Sequence, residues 1–328
     1  MSGGLAPFVR AMGRGPSRGR NLDRAEAAEA MRLILAGEAA PEAVGALFML
    51  MRYRGETSAE IAGMVDAMRA RIAPWREIGA ALDWPSYAAG RTRGAPFFLL
   101  AAKLIARAEH SVTVHGWNSH LSHPASTIAG VEAMKIAVAE DAASARAALA
   151  ADGLVYIRLE AIDAELMRLL RLRDVLGLRS PINTALRAFN PCGAAASAQG
   201  VFHPVFRGLQ TEAARLLEQP AVAVIKGGGG EFERHPGKAI ELYGYTADAP
   251  FDFAMAPLSA FEARRMKSDE EAPDAAHLPA LWSGARRNEF EEALVIATAG
   301  AALLTLGAAP TLAEAEEMAR ALWRDRLD

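Results

Sequence analysis

Residues 54–61 read Arg-Gly-Glu-Thr-Ser-Ala-Glu-Ile and carry the start signal of an amphipathic helix. Thr57 is suited to the N-cap position, and Glu60, three residues later, can return a hydrogen bond to the backbone of Thr57. Apolar side chains then recur at the spacing of one helical face, at Ile61, Met64, Val65 and Met68. The stretch therefore predicts a helix that packs into a core and stops before Pro74.

Two more helices are predicted on the N-terminal side. Asp23 can cap a helix in which Glu26 holds the reciprocal capping position, and Gly37 ends it. Residues 41–53 form the next helix, because Pro41 suits a first helical turn. Together these segments predict a compact helical unit.

From about residue 82 the pattern changes to short β-type runs that alternate with helical stretches. The β-type runs are 111–114, 154–158, 198–202 and 222–225, and the helical stretches are 96–108, 128–139 and 204–217. Such alternation predicts an α/β fold with a mostly parallel sheet. Residues 289–306 and 311–327 are predicted helices, and 268–276 a surface loop.

A further helical stretch, residues 163–189, interrupts this alternation. It is too long for a simple crossover between strands, so we expect it to return to the first helical unit.

The composition is that of an ordinary globular protein, with 52% hydrophobic and 23% charged residues over 328 positions. This length suits about two domains. No apolar stretch is long enough for a membrane span, and the N-terminal stretch lacks the apolar centre of a secretory signal. The single cysteine, Cys192, favours a reducing compartment, so we expect a cytoplasmic protein in which this thiol is structural.

The formal net charge of −3 gives no general attraction to nucleic acid, but the first 24 residues are basic. They contain one acid, Asp23, and five arginines, namely Arg10, Arg14, Arg18, Arg20 and Arg24. Two interpretations remain open: an anion-binding arm, or a solvated flexible terminus.

Several segments, in order, resemble the anthranilate phosphoribosyltransferase family, also called glycosyltransferase family 3. They are Arg-Gly-Glu-Thr at 54–57, Gly-Leu-Arg-Ser-Pro-Ile-Asn at 177–183, Asn-Pro at 190–191 and Gly-Val-Phe-His-Pro at 200–204. The N-terminal segment, with Gly-Arg-Gly at 13–15 and Leu-Asp-Arg at 22–24, is similar to a divergent branch. That branch is not tied to tryptophan synthesis and includes a nucleic-acid-binding member.

The resemblance implies a small helical domain, a larger α/β domain and a ligand site in the cleft between them. It also implies homodimers that pair through the helical domain. On this basis residues 1–75, with about 163–190, form the helical domain. Residues 76–162 and 191–328 form the α/β domain.

The phosphate motifs of that family are altered here. Its G-T-G-G-D loop corresponds to Ala-Ala-Gly-Arg-Thr-Arg-Gly at 88–94, which keeps Gly90, lacks the acid and gains Arg91 and Arg93. Phosphate would then be held by guanidinium groups as well as by backbone N–H groups. An ordinary surface loop is the alternative.

The family's K-H-G-N motif corresponds to Val-His-Gly-Trp at 114–117, with Asn118 one place late. The resemblance assigns His115, Gly116 and Asn118 to the ligand site, although a structural histidine at a strand end is the open alternative. His120 and His123 follow, without the acids or cysteine that a metal cluster requires.

The magnesium segment G-x-D-E of the family corresponds to Lys-Gly-Gly-Gly-Gly-Glu at 226–231. Glu231 remains as the one candidate metal ligand, Gly230 replaces the aspartate and Lys226 adds a positive charge. Glu233 could compensate. Because Mg²⁺ needs oxygen ligands, we expect at best weak magnesium binding. The glycine run is either a backbone cradle for phosphate or a floppy loop.

Three functions remain open. One is a glycosyltransferase for a phosphorylated ribose or nucleotide-type ligand, with an acceptor other than anthranilate; Arg179, with Asn183 beside it, falls where the family contacts its aromatic acid. The second is a non-catalytic dimer that binds nucleic-acid backbone without sequence preference, through Arg14, Arg18 and Arg20. The third is a small-molecule sensor.

Overall fold

The computed structural model describes residues 4–15, 17–87, 94–117, 126–246, 249–257 and 274–327. One sheet runs through it in the order β3-β4-β2-β1-β5-β6-β7-β8. The strands are β1 (Leu82–Ser86), β2 (Val112–Gly116), β3 (Ala137–Ala139), β4 (Leu154–Arg158), β5 (Ala196–Val201), β6 (Ala221–Lys226), β7 (Ile240–Tyr245) and β8 (Pro250–Met255). The first six strands pair in parallel, and β7 and β8 are antiparallel. The predicted α/β class with a mostly parallel sheet is confirmed.

The N-terminal helices are α1 (Ala6–Gly13), α2 (Arg24–Leu35), α3 (Pro41–Arg54), α4 (Ser58–Arg69) and α5 (Ala73–Arg76). Both predicted capping boxes form, at Asp23 with Glu26 and at Thr57 with Glu60. The start of the chain differs from a flexible arm: α1 is a helix with the buried side chain of Met12.

The contact between α2 and α4 depends on a glycine and a buried acid. A Cβ atom at Gly63 would lie 2.1 Å from the carbonyl oxygen of Arg24, so only glycine permits this approach. The carboxylate of Glu60 is buried and accepts hydrogen bonds from the N–H groups of Leu22 (3.0 Å) and Thr57 (2.9 Å). Glu60 therefore joins the start of α4 to the segment before α2.

The other helices are α6 (Phe98–Arg107), α7 (Thr127–Ala133), α8 (Ala142–Asp152), α9 (Leu159–Ile162), α10 (Ala164–Leu170), α11 (Leu172–Leu176), α12 (Ile182–Ala185), α13 (Phe206–Leu216), α14 (His277–Ser283), α15 (Glu289–Thr305) and α16 (Leu312–Arg324). Two predictions were wrong here. The stretch 163–189 is not continuous, because Gly177 ends α11 in the left-handed conformation. The helix expected over 128–139 stops at Ala133, and β3 follows.

Two hydrophobic clusters cover the two faces of the sheet. One contains α2–α4, Leu166 and Leu169 of α10 and, from β4, Val155 and Ile157. The other contains α6, α15 and the opposite face of the sheet. None of the described helices is long and apolar enough to cross a membrane.

Residues 163–189 lie against the first helices at several polar contacts. Arg71 Nε lies 2.7 Å from Asp163 Oδ2, and Arg69 Nε donates to the carbonyl oxygen of Phe189 (2.8 Å). These contacts favour the expected return of the segment to the helical unit; the domain boundaries themselves stay a prediction.

Replacing Glu60 by alanine should lower the free energy of unfolding by about 3 kcal/mol. The buried N–H of Leu22 and the half-buried N–H of Thr57 both lose their acceptor. Urea unfolding followed by circular dichroism measures this change. The exposed Glu317→Ala substitution is the control and should cost less than about 1 kcal/mol. An equally small loss for Glu60→Ala would show that the buried carboxylate does not hold α2 and α4 together.

Candidate anion-binding cleft

The main cleft lies where the helices meet the carboxyl end of β5. It has a volume of about 430 Å³ and is lined from α3, α11, α12, α13, the 177–180 turn and residues 201–203. Cavities of this size are typical of small-molecule sites. Its charged lining consists of one acid, Asp174, and four arginines, Arg52, Arg173, Arg179 and Arg187.

Arg187 builds the wall of this cleft. Its guanidinium donates to three backbone carbonyl oxygens, those of Asn183 (2.6 Å), Gly200 (2.9 Å) and Tyr87 (3.3 Å). These carbonyls belong to α12, to β5 and to the residue after β1. Burial lowers the pKa of Arg187 to about 10, so the group stays charged at neutral pH. Its role in the described structure is to hold three elements in place.

Arg179 is the cation best placed for a ligand. Its pKa is lowered, mainly by burial and then by the positive charges of Arg173 and Arg52. Its guanidinium lies 5.9 Å from the ring centre of Phe202, and it makes no hydrogen bond or ion pair with any other described residue. A half-buried cation among like charges attracts anions.

Buried polar groups without partners line the same cleft. The Gln210 Nε2 group donates to the carbonyl oxygen of Thr184 (2.8 Å), whereas Oε1 of the same amide accepts from no described donor. Ser180 Oγ and Asn183 Oδ1 are likewise buried and unpaired within the described residues. Because unpaired buried polar atoms cost free energy, a bound ligand would stabilise this arrangement.

His115 is buried and is not among the residues that line the cleft, so its expected role as a ligand contact stays a prediction. Its ring is 0% exposed, with Nδ1 2.8 Å from Tyr87 Oη and Nε2 3.1 Å from Asp83 Oδ1. The ring of Phe189 packs against it at 6.3 Å between centres. The structural alternative is therefore favoured, since His115 lies between the sheet and the helices.

Gly116 has a structural role at the end of the same strand. A Cβ atom there would lie 1.9 Å from the carbonyl oxygen of Ser86, so glycine is needed for β1 and β2 to pair to their ends.

The acids expected near magnesium point into the protein. Glu231 is 1% exposed, and its Oε1 accepts from Ser86 Oγ (2.9 Å). Glu233 is 5% exposed, and its Oε1 accepts from the N–H of Phe98 (3.0 Å) at the start of α6. Between them Phe232 is 0% exposed and packs edge-on against Trp84, with ring centres 5.5 Å apart.

The glycine run allows this inward course. A Cβ atom at Gly227 would lie 1.6 Å from the carbonyl oxygen of Glu231, and one at Gly200 would lie 2.1 Å from the carbonyl carbon of Glu231. The run is therefore a tightly packed turn, which disfavours the floppy loop, one of the two alternatives for this segment. Lys226, just before it, is exposed at the end of β6.

These residues do not fit a magnesium–diphosphate group. Magnesium requires carboxylates that are open to the metal and its phosphates. Both acids are buried instead, and Oε1 of each accepts from a protein donor. The described residues contain no cluster of three His, Cys, Asp or Glu side chains that could hold a metal. The expected role of Glu231 as a metal ligand stays a prediction, which the buried position of its side chain does not favour.

Several predicted site residues lie outside the described residues, namely Gly90, Arg91, Arg93, Asn118, His120 and His123. On the N-terminal side, Arg14 and Arg18 are exposed. Arg20 differs, because both of its terminal nitrogens lie 2.6 Å from the carboxylate oxygens of Glu26. The positive charge of Arg20 is therefore already paired with the carboxylate of Glu26.

Comparison with known proteins agrees with this architecture. Residues 8–72 match the helical bundle domain of the glycosyl transferase family. The anthranilate phosphoribosyltransferase of Thermus thermophilus has a TM-score of 0.78 at 24% sequence identity, covering 96% of this chain and 93% of that one. The chain has the two-domain fold of the anthranilate phosphoribosyltransferases. The structure of the Saccharomyces cerevisiae enzyme in complex with PRPP and Mg gives a TM-score of 0.72 at 12% identity, over 98% of this chain and 93% of the yeast chain.

The sequence relatives of this chain are also named anthranilate phosphoribosyltransferases. The anthranilate phosphoribosyltransferase of Rhizobium meliloti is 29% identical over 305 residues, 91% of this chain and 89% of the relative. That of Methylocella silvestris is 28% identical over 307 residues, 92% of this chain and 87% of the relative.

Of the residues that line the cleft, only Arg179 and Asn183 were among the predicted site residues. Sequence reasoning missed the others, among them Arg52, Arg173, Ser180, Arg187 and Gln210. The sequence spacing could have indicated two of these residues. Arg187 lies one helical turn after Asn183, and Ser180 directly follows Arg179, so both could have been drawn into the site by spacing. Arg52 and Arg173 come from other helices, and only the fold brings them to the cleft.

Cys192 should be inert in the folded protein. Burial raises the pKa of its thiol to about 12, so the reactive thiolate is scarce at neutral pH. We expect the folded protein to react with a disulfide reagent at neutral pH far more slowly than the urea-unfolded chain, by absorbance of the released thiolate. Equal rates would contradict the buried position of Cys192.

Proposed function

We propose that this chain is a phosphoribosyltransferase-like protein that binds an anionic small molecule, a phosphorylated ribose or a nucleotide-type compound, in the arginine-lined cleft. The observation that carries the proposal is the half-buried Arg179, which has no acidic partner among the described residues. It lines the same cleft as Gln210 Oε1 and Asn183 Oδ1, two buried acceptors with no described donor. Without such a ligand, these buried polar and charged groups would lack partners, which costs folding free energy.

The likeness to a transferase family supports pentosyl transfer as the chemistry. In such a step the bond between the sugar carbon and a phosphate oxygen breaks, and the phosphate leaves with the electron pair. The acceptor forms the new bond to that carbon and releases a proton. Arginine side chains can stabilise the leaving anion by charge-assisted hydrogen bonds.

We further propose that the chain does not use magnesium–PRPP with anthranilate, although its relatives bear that enzyme's name. The inward course of Glu231 and Glu233 leaves no open pair of carboxylates among the described residues. A single carboxylate such as that of anthranilate would also neutralise only one of the cations in the cleft.

Calorimetric titration of PRPP into the protein, with and without magnesium, tests this proposal. We expect weak or undetectable binding that magnesium does not strengthen, because the carboxylates are occupied. Ribose 5-phosphate without metal is the companion ligand, and Arg179→Gln should weaken its binding. A micromolar affinity for PRPP that requires magnesium would contradict the proposal.

A second candidate is a dimer that binds nucleic-acid backbone. Two exposed side chains, Arg14 and Arg18, support it, whereas the ion pair of Arg20 with Glu26 and the net charge of −3 weigh against it.

Dimerisation through the helical domain and a cytoplasmic location stay predictions. Dimerisation through the helical domain is consistent with Tyr53 on α3, a large side chain that is 91% exposed.

Fluorescence anisotropy of a labelled single-stranded oligonucleotide across a salt series separates the two candidates. If the N-terminal arginines contact phosphates, Arg14→Gln with Arg18→Gln should flatten the slope of log affinity against log salt by about 1.4. Arg32→Gln is the control, because Arg32 is already paired with Glu29. Absence of binding by the wild type at low salt would dispose of the nucleic-acid candidate.

A further inference from the structure

Among the described residues that line the cleft, the least exposed polar one is Gln210 on α13, at 1%. We propose that Gln210 determines the specificity of the cleft, because its Oε1 accepts a hydrogen bond from an N–H group on the ligand. The cleft then selects a planar anion that carries an N–H donor over the same anion without one. This inference rests on the proposed function of the same cleft and adds a condition to it.

The orientation of the Gln210 amide is fixed from the side of α12. The carbonyl oxygen of Thr184 can only accept, so the amide atom that lies 2.8 Å from it is the donor Nε2. Oε1 is the amide atom left for the cleft, and it accepts from no described donor. A rotation of the amide by half a turn would set two acceptor oxygens against each other. Gln210 therefore offers the ligand an acceptor and not a donor.

The unpaired oxygen of Gln210 has a free-energy cost in the folded chain without ligand. A buried amide oxygen without a donor has lost the hydrogen bonds that it makes with water in the unfolded chain. An N–H group of a bound ligand removes this cost, whereas a C–H group or an acceptor atom in the same place does not. A site of this kind discriminates strongly against ligands that lack the donor.

A second buried acceptor lines the same cleft. Asn183 is 5% exposed, and its Oδ1 accepts from no described donor. Its backbone carbonyl oxygen is used differently, because it accepts from the guanidinium of Arg187 (2.6 Å), which holds the start of α12 in place. Two side-chain amide oxygens, those of Asn183 and Gln210, are thus available to donors of a ligand.

The aromatic wall argues for a flat ligand with its anionic group at Arg179. Phe202 is 41% exposed although it is a large apolar side chain, and His203 packs edge-on against it at 4.8 Å between ring centres. The Arg179 guanidinium lies 5.9 Å from the centre of the Phe202 ring. A planar ring stacked on Phe202 therefore has a cation within reach of an acidic substituent.

Four probes that share one anionic group test the inference in the full chain. They are phenylphosphonate and its 2-amino, 3-amino and 4-amino derivatives, titrated by calorimetry at a mildly alkaline pH at which all four carry the same charge. The phosphonate stands in for a phosphate ester, and the three isomers place the N–H donor at different points of the ring. We expect at least one amino isomer to bind about tenfold more tightly than phenylphosphonate, the effect of one hydrogen bond to a buried acceptor.

The substitution Gln210→Met assigns the contact, because it removes the acceptor with little change in volume. The preference for the amino isomer should disappear, while phenylphosphonate binds nearly as it does to the wild type. Arg179→Gln should weaken all four probes alike. The matched control is Gln219→Met, which should keep the preference. Gln219 is also buried, but it lies outside the cleft lining and its amide already bonds to Asn190 and Ala194.

The outcomes separate this inference from the proposed function. Equal affinities of the wild type for all four probes would overturn the role of Gln210, and this comparison needs no variant. A Gln210→Met protein that is folded by thermal unfolding and keeps the preference, or that loses affinity equally for all probes, would overturn it as well. In each of these cases, binding of phenylphosphonate that depends on Arg179 would still support an anion-binding cleft. Failure of the wild type to bind any of the four probes or ribose 5-phosphate would contradict both.

Discussion

The guanidinium of Arg187 is the interaction on which the cleft depends. It is a buried cation that contacts no carboxylate of the described residues by a hydrogen bond, and it donates instead to the carbonyl oxygens of Tyr87, Asn183 and Gly200. Because these oxygens come from three separate elements, one side chain fixes the distance between the helices and the carboxyl end of the sheet. The positions of Arg179, Asn183 and Phe202 follow from that distance.

The two ends of the site differ in how their polar groups are used. At the sheet edge, the acids point inward and accept from protein donors, Ser86 for Glu231 and the start of α6 for Glu233. In the cleft, by contrast, Arg179 makes no hydrogen bond or ion pair with another described residue, and Gln210 Oε1 and Asn183 Oδ1 accept from no described donor. This contrast supports the proposal that the cleft binds a ligand.

Structural features that depend on a few consecutive residues could be predicted from the sequence, whereas features that depend on the packing of distant segments could not. The caps at Asp23 and Thr57 were predicted because each needs only four consecutive residues, and β4 was predicted to its exact limits from one apolar run. β1 was missed because Asp83 and Pro85 interrupt its pattern. The inward turn of Glu231 and the burial of His115 depend on which face of the sheet the helices cover, and no local pattern contains that information.

The turn at Gly230 limits which residues can occupy that position. Its φ of +97° is a conformation that residues with a side chain rarely adopt, and Gly227 and Gly200, which pack in the same turn, leave no room for a Cβ atom. An aspartate at position 230 would therefore strain the backbone, and Glu231 would still face inward, where its Oε1 accepts from Ser86.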